Sequence, residues 1–250
     1  MSWGTDLLLF VAALLAGVLN AMAGGGTFIT FPALVWAGVP PVAANATSTL
    51  AAFPGYASSS WGFRGELAAL PRRTVMIELV IAAGGGVLGA TLLLFTPAAA
   101  FNHLVPWLLL FATVAFVLAP RLQALHAMQH RAARWRRPGL MLASIYGGYF
   151  NGGLGIVLMA VYSVCGERLN ASNALKNLLS AVLAIWSVVA FTLAGLIAWR
   201  AALVMMVATT LGGLWGASLA QRLPTQRVRW VVIATGGLMT VAFFVRAYGA

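Results

Sequence analysis

The sequence predicts an all-α polytopic membrane protein of eight hydrophobic segments. Three observations carry that prediction. Apolar runs of about 20 residues recur along the chain, the length that crosses ~30 Å of hydrocarbon as a helix. Charged residues make up only 8% of the 250 and sit mainly between those runs, whereas a soluble domain carries about 25%. Two runs are interrupted by glycine clusters, Gly24-Gly25-Gly26 and Gly147-Gly148-Tyr149-Phe150-Asn151-Gly152-Gly153-Leu154-Gly155. In lipid such a break survives only where the freed backbone is buried in protein or lines a wet cavity.

Taken in order, segment one covers about 6–37 and divides into a piece before Asn20 and a shorter piece after Gly26, neither long enough to span alone. Asp6, with no basic residue before the apolar run, argues for a retained segment rather than a removable leader. Val39-Pro40-Pro41 turns the chain into segment two, about 43–62. A charged loop over 63–73 precedes segment three (75–95), Thr96-Pro97 turns the chain, and segment four covers 104–118. A basic linker, 120–138, carries Arg121, His126, His130, Arg131, Arg134, Arg136 and Arg137. It reads as a cytoplasmic loop, with a surface helix on anionic headgroups as the alternative. Segment five (140–165) is broken at the second glycine cluster; segments six, seven and eight cover 174–198, 203–220 and 228–245.

The second half repeats the first. Gly85-Gly86-Val87-Leu88-Gly89-Ala90 lies against Gly212-Gly213-Leu214-Trp215-Gly216-Ala217, Pro97 against Pro224, and Thr113-Val114-Ala115-Phe116 against Thr240-Val241-Ala242-Phe243, all at one offset of 127. The chain therefore divides into a membrane repeat over 1–119, the linker 120–138, and a second repeat over 139–250. Two topologies compete. Spanning breaks give eight spans and parallel halves; re-entrant breaks give three full spans per half and inverted halves. The second leaves only Arg200 and Arg246 outside, so the arginine distribution favours it. The same bias accounts for the net charge of +11, which is no sign of nucleic-acid binding. The small-residue clusters of segments three and seven read as helix-packing surfaces.

Candidate site residues gather at the breaks and at the two helix starts that follow them. Lys176 lies in Asn170-Ala171-Ser172-Asn173-Ala174-Leu175-Lys176-Asn177, with Asn170 or Ser172 as the expected helix cap. A lysine in a first turn opposes the helix dipole, and a bound anion would satisfy both. The alternatives are snorkelling to the interface and pairing with Glu78. The corresponding stretch of the first half offers Asn45, Thr47 and Ser48. Asn20 and Asn151 flank the glycine breaks, where the N–H groups of Gly24, Gly25, Gly26, Gly152 and Gly153 could cradle an anion, or the asparagines could satisfy the broken backbone. Asn173 and Asn177 complete the set. Glu78 is either a proton carrier or, the simpler reading, an edge partner of Arg72 or Arg73. Asn45 and Asn170 also fit glycosylation sequons, but their repeat-related placement favours an internal polar role. Cys165 reads as an inert buried thiol. No metal motif, nucleotide loop, carboxylate pair or nucleophile elbow is present, so neither a cofactor nor an enzymatic activity is expected.

Ala23-Gly24-Gly25-Gly26 with Pro32-Ala33-Leu34, Ala44-Asn45-Ala46-Thr47-Ser48, Tyr146-Gly147-Gly148-Tyr149-Phe150 and Asn173-Ala174-Leu175-Lys176-Asn177 occur in an order and spacing that resembles the TauE/SafE family of sulfite and organosulfonate exporters. The family pattern often has glycine where this chain has Asn151. The resemblance implies a multi-pass secondary transporter of the inner membrane that moves small sulfur-containing anions, with proton coupling. Its partners would be the anion and the lipid bilayer; a homo-oligomer stays open. The competing readings are a carboxylate-anion transporter and a membrane assembly protein acting through the basic linker.

Overall fold

A computed structural model describes residues 3–22, 24–123, 133–220 and 225–248. The described residues are helical throughout, joined by short turns, and contain no strand. The helices are α1 (Trp3–Met22), α2 (Thr27–Trp36), α3 (Pro41–Gly62), α4 (Arg64–Ala68), α5 (Arg72–Leu94), α6 (Ala98–Gln123), α7 (Arg136–Tyr149), α8 (Leu154–Val164), α9 (Leu169–Leu193), α10 (Trp199–Ala220) and α11 (Thr225–Tyr248), with a 3₁₀ turn at Ala133–Trp135. Among the described residues, five helices are long and apolar enough to cross a membrane: α1, α5, α6 over Ala98–Ala115, α9 and α10. Many large apolar side chains face outward, and exposed tryptophans lie near helix ends, among them Trp3, Trp36, Trp61, Trp135 and Trp199. That is the distribution expected of a lipid-facing surface with interfacial aromatic anchors.

Both glycine clusters break their helices. Gly24 adopts φ 85° and Gly153 φ 80°, left-handed conformations that favour glycine. Each break folds the chain back on itself. Gly26 lies against Ala16 and Asn20, and the cleft at the other end of the pair is lined by Leu8, Ala12, Pro32 and Trp36, so α2 returns along α1. Leu154 closes on Gly147 and Val161 on Gly139, so α8 returns along α7.

Contacts fix the directions of the remaining helices. Asp6 pairs with Arg200, and Gly17 meets Thr209 and Gly212, so α1 runs parallel to α10. Glu78 pairs with Arg136, and Gly89 meets Tyr149, so α5 runs parallel to α7. Tyr56 clusters with Ala181 and Phe63 with Ala174, so α3 and α9 run antiparallel through the centre. His103 stacks edge-on against Tyr248, and Gly236 meets Thr113, so α6 and α11 are antiparallel too. The two hairpins therefore enter from opposite ends of the bundle. One end holds Asp6 and Arg200, the other Glu78 and Arg136.

The glycine clusters of α5 and α10 act as packing surfaces. A Cβ on Gly85 would strike Ser144, one on Gly89 the Ile145 carbonyl, and one on Gly212 the Leu14 carbonyl. Lipid supplies no hydrophobic drive between helices, so close backbone approach of this kind holds the bundle.

Several boundaries differ from the sequence expectation. α1 has 20 residues and is long enough to span, because helical hydrogen bonding continues past Asn20 to the glycines. α9 begins at Leu169, five residues before the apolar run, and α7 begins within the basic linker at Arg136. At the start of α7, Arg136 finds partners in Glu78 and Glu167, whereas Ser172 and Asn173 near the start of α9 are buried with unbonded atoms. The charged loop after α3 contains α4. Pro120–Gln123 is the end of α6, and linker residues 124–132, with His126, His130 and Arg131, lie outside the described residues.

Candidate functional site

The two hairpin tips meet in the middle of the bundle. A Cβ on Gly24 would lie 2.5 Å from the Gly155 carbonyl carbon, and one on Gly155 2.6 Å from the Gly24 Cα. The tips are also bonded to each other: Thr27 Oγ1 donates to the Asn151 carbonyl (2.9 Å) and accepts from the Gly153 N–H (3.1 Å). Phe31 packs edge-on against Phe150 at 5.4 Å behind them.

Asparagines close the broken backbone on both sides. Asn20 Oδ1 accepts from the Gly26 N–H at 2.8 Å. Asn45 reaches across from α3, donating to the Tyr149 carbonyl (3.1 Å) and accepting from the Asn151 N–H (3.2 Å). The Tyr146 hydroxyl donates to the Gly152 carbonyl at 2.5 Å, and the Tyr56 hydroxyl to Asn151 Oδ1 at 3.4 Å. Since the Gly24 N–H also donates to the Leu19 carbonyl (3.0 Å), the N–H groups of Gly24, Gly26, Asn151 and Gly153 all have partners inside the protein. Of the α3 residues, Ser48 bonds Thr30 (2.6 Å) and Thr47 accepts from the Ala198 N–H (3.0 Å).

Lys176 is completely buried, and its ammonium donates to the carbonyls of Asn20 (2.5 Å) and Ala21 (3.5 Å). These belong to the last turn of α1, where carbonyls lack helical partners and the dipole favours a cation. This corrects the sequence expectation. Arg168, not Asn170 or Ser172, precedes α9 without any side-chain cap, so Lys176 is two turns inside the helix. It compensates the C-terminus of α1 rather than opposing the N-terminus of its own helix. It does not pair with Glu78, whose two oxygens accept from Arg136 Nε (2.7 Å) and the Tyr162 hydroxyl (2.7 Å). Nor does Glu78 pair with Arg72 or Arg73. Arg136 also bonds Glu167 at 2.5 Å and lies over the Tyr162 ring. Glu78 and Lys176 are the buried charged side chains among the described residues, and Lys176 has no carboxylate partner there.

Around Lys176, the buried polar atoms of α9 are unbonded. Ser172 Oγ, Asn173 Oδ1, both amide atoms of Asn177 and Ser180 Oγ make no hydrogen bond, nor does Asn151 Nδ2 at the second tip. Ser172, Lys176 and Ser180 recur every fourth residue and so share one helix face, with Asn173 and Asn177 beside them. Native proteins leave few buried polar groups unpaired, and each one asks for an explanation. Ser180, Tyr56, Thr27 and Arg136 were not singled out as site residues from sequence. The four-residue spacing of Ser172, Lys176 and Ser180 is a signal that could have found the first of these.

A sequence model for the family described as Sulfite exporter TauE/SafE matches residues 9–243. The chain belongs to this family. TauE/SafE relatives of the chain include a "Probable membrane transporter protein" of Haemophilus influenzae, 30% identical over 246 residues and covering 96% of this chain and 95% of that protein. The "Probable membrane transporter protein YfcA" of Escherichia coli K12 is 28% identical over 250 residues, covering 96% and 90%. "Probable membrane transporter protein ORF9" of a Sinorhizobium species is 34% identical over 116 residues, 46% of this chain and 43% of that one. No solved structure matches significantly. This TauE/SafE protein is thus a multi-pass member of a membrane transporter family.

Proposed function

We propose that the protein is a secondary transporter, an exporter, of small sulfur-containing anions such as sulfite or organosulfonates across the inner membrane. The observation that carries this reading is Lys176, a buried ammonium without a carboxylate partner among the described residues, bonded to the end of α1 at the first hairpin and beside unbonded polar side chains. An intramembrane charge is expensive and marks a substrate or ion path by default, and broken helices meeting mid-bundle form the substrate sites of many secondary transporters. The anion would contact Lys176, Asn173, Asn177 and the tip residues Asn20, Gly24, Gly25, Gly26, Asn151, Gly152 and Gly153, with Asn45, Thr47 and Ser48 bracing them.

The architecture is read as two inverted four-segment repeats. Reciprocity of packing supports this: α1 lies on α10 as α7 lies on α5, and α3 lies on α10 as α9 lies on α5. Glu78 is kept as the proton-coupling candidate. Arg136 and Tyr162, which hold its two oxygens, both belong to the α7–α8 hairpin, so one hairpin movement would release both oxygens together.

Thermal stability of the purified protein against sulfite, thiosulfate, sulfoacetate, sulfate and chloride tests the reading. A specific ligand stabilises by about 2.7 kcal/mol at 100 times its dissociation constant. A shift with a sulfur anion, absent in Lys176→Ala, is expected. No shift with any anion would remove the transporter reading of this site.

A further inference from the structure

We infer that the anion taken at Lys176 carries a single negative charge and a hydrogen-bond donor of its own, as hydrogen sulfite and hydroxyalkylsulfonates do. The inference rests on the transporter reading and narrows its substrate class. It comes from the charge and hydrogen-bonding inventory of the α9 face.

The charge balance sets the first half. Lys176 brings one positive charge, and the other buried charge, Glu78, is paired with Arg136, which also holds the part-exposed Glu167. The remaining charged groups on helices packed against α9 are placed elsewhere: Arg64, Arg72, Arg73 and Arg137 are exposed, Glu66 is half-exposed on α4, and Asp6 is paired with Arg200 at the far end. A monoanion beside Lys176 leaves neither buried charge, Lys176 or Glu78, without an opposite partner. A dianion leaves one buried and uncompensated, which is the strongly unfavourable case.

The unbonded atoms set the second half. Lys176 has three N–H donors and two carbonyl partners. Ser172, Ser180, Asn177 Nδ2 and Asn151 Nδ2 add donors that suit anionic oxygens. Asn173 Oδ1 and Asn177 Oδ1, however, accept only, and neither serine hydroxyl reaches them. Because both amide atoms of Asn177 are unbonded, turning that amide over leaves one acceptor and one donor in either case. A ligand made only of acceptors would leave these oxygens buried and unpaired. One that brings an O–H satisfies them, and sites built to bond a ligand hydroxyl discriminate strongly against analogues lacking it.

Four probes separate the cases in the full-length wild-type protein by thermal shift or calorimetry: isethionate (monoanion with hydroxyl), ethanesulfonate (monoanion without), sulfoacetate (dianion) and sulfate (dianion). Isethionate is expected to bind at least ~10-fold tighter than ethanesulfonate, since one buried hydrogen bond of about 1.4 kcal/mol is a factor of ten, and both tighter than either dianion. Asn177→Ala and Asn173→Ala should shrink the isethionate preference. The wild-type panel decides even if these variants fold poorly. Equal binding of isethionate and ethanesulfonate, or a dianion binding as tightly as isethionate, overturns the inference and leaves the transporter reading standing. Binding of none of the four, with no sulfur anion active in the broader panel, removes both.

Discussion

The central helices α3 and α9 have similar polar sequences, Asn45-Ala46-Thr47-Ser48-Thr49 and Asn173-Ala174-Leu175-Lys176-Asn177, and use them in opposite ways. Every polar side chain of the α3 stretch has a partner: Asn45 holds the second tip, Thr47 the Ala198 N–H, Ser48 Thr30, and Thr49 the Asn45 carbonyl. On the α9 stretch the lysine is committed, while Ser172, Asn173, Asn177 and Ser180 keep unbonded atoms. Matching polar residues thus serve as bracing in one half and stay buried and largely unbonded in the other. Sequence similarity between the stretches does not separate these roles; hydrogen-bond satisfaction does.

Substitutions break or sharpen this contrast. The largest effect belongs to Asn45→Leu, which leaves the Tyr149 carbonyl and Asn151 N–H buried and unpaired and should cost about 2–4 kcal/mol of stability, read as a large fall in melting temperature. A variant as stable as wild type would collapse the comparison. Lys176→Met comes next. It should abolish the anion-dependent stabilisation, about 2.7 kcal/mol at 100 Kd. Ligand-free stability should move by less than ~1 kcal/mol, because lost carbonyl bonds are offset by removing a buried charge. Thr30→Val removes the Ser48 bond and should cost ~1 kcal/mol with anion affinity unchanged. Smallest is Ser180→Ala, expected within ~0.5 kcal/mol of wild type without ligand, since it deletes a hydroxyl that bonds nothing, but several-fold weaker in anion binding by titration calorimetry.

Much of this arrangement could be read from the sequence. Three consecutive glycines after Asn20 and the Asn151-Gly152-Gly153 run are poor helix formers, and the chain breaks at both. Lys176, the one lysine of the chain, was legible as an anion-site candidate, with snorkelling to the interface left open; its complete burial was not. Its partner was not, because the Asn20 and Ala21 carbonyls are more than 150 residues away and no local pattern reports a bond to backbone. The same holds for Asn45 with Asn151 and for Glu78 with Arg136. The start of α9 was misjudged because Asn170 and Ser172 are typical cap residues. Their helical conformation comes from tertiary packing, which overrides propensity.

The parallel contact of α1 with α10 also bears on how the chain is made. α1 finishes at Met22, but the helix it chiefly lies on starts at Trp199. At 5–20 residues per second, translation takes roughly 10–40 s to cover that interval. During this time Gly17 faces no Gly212 or Thr209, and Asp6 no Arg200. α1 leaves the ribosome long before its chief neighbour is made, so the nascent hairpin needs a temporary companion, from lipid or from the insertion machinery, until the second half arrives.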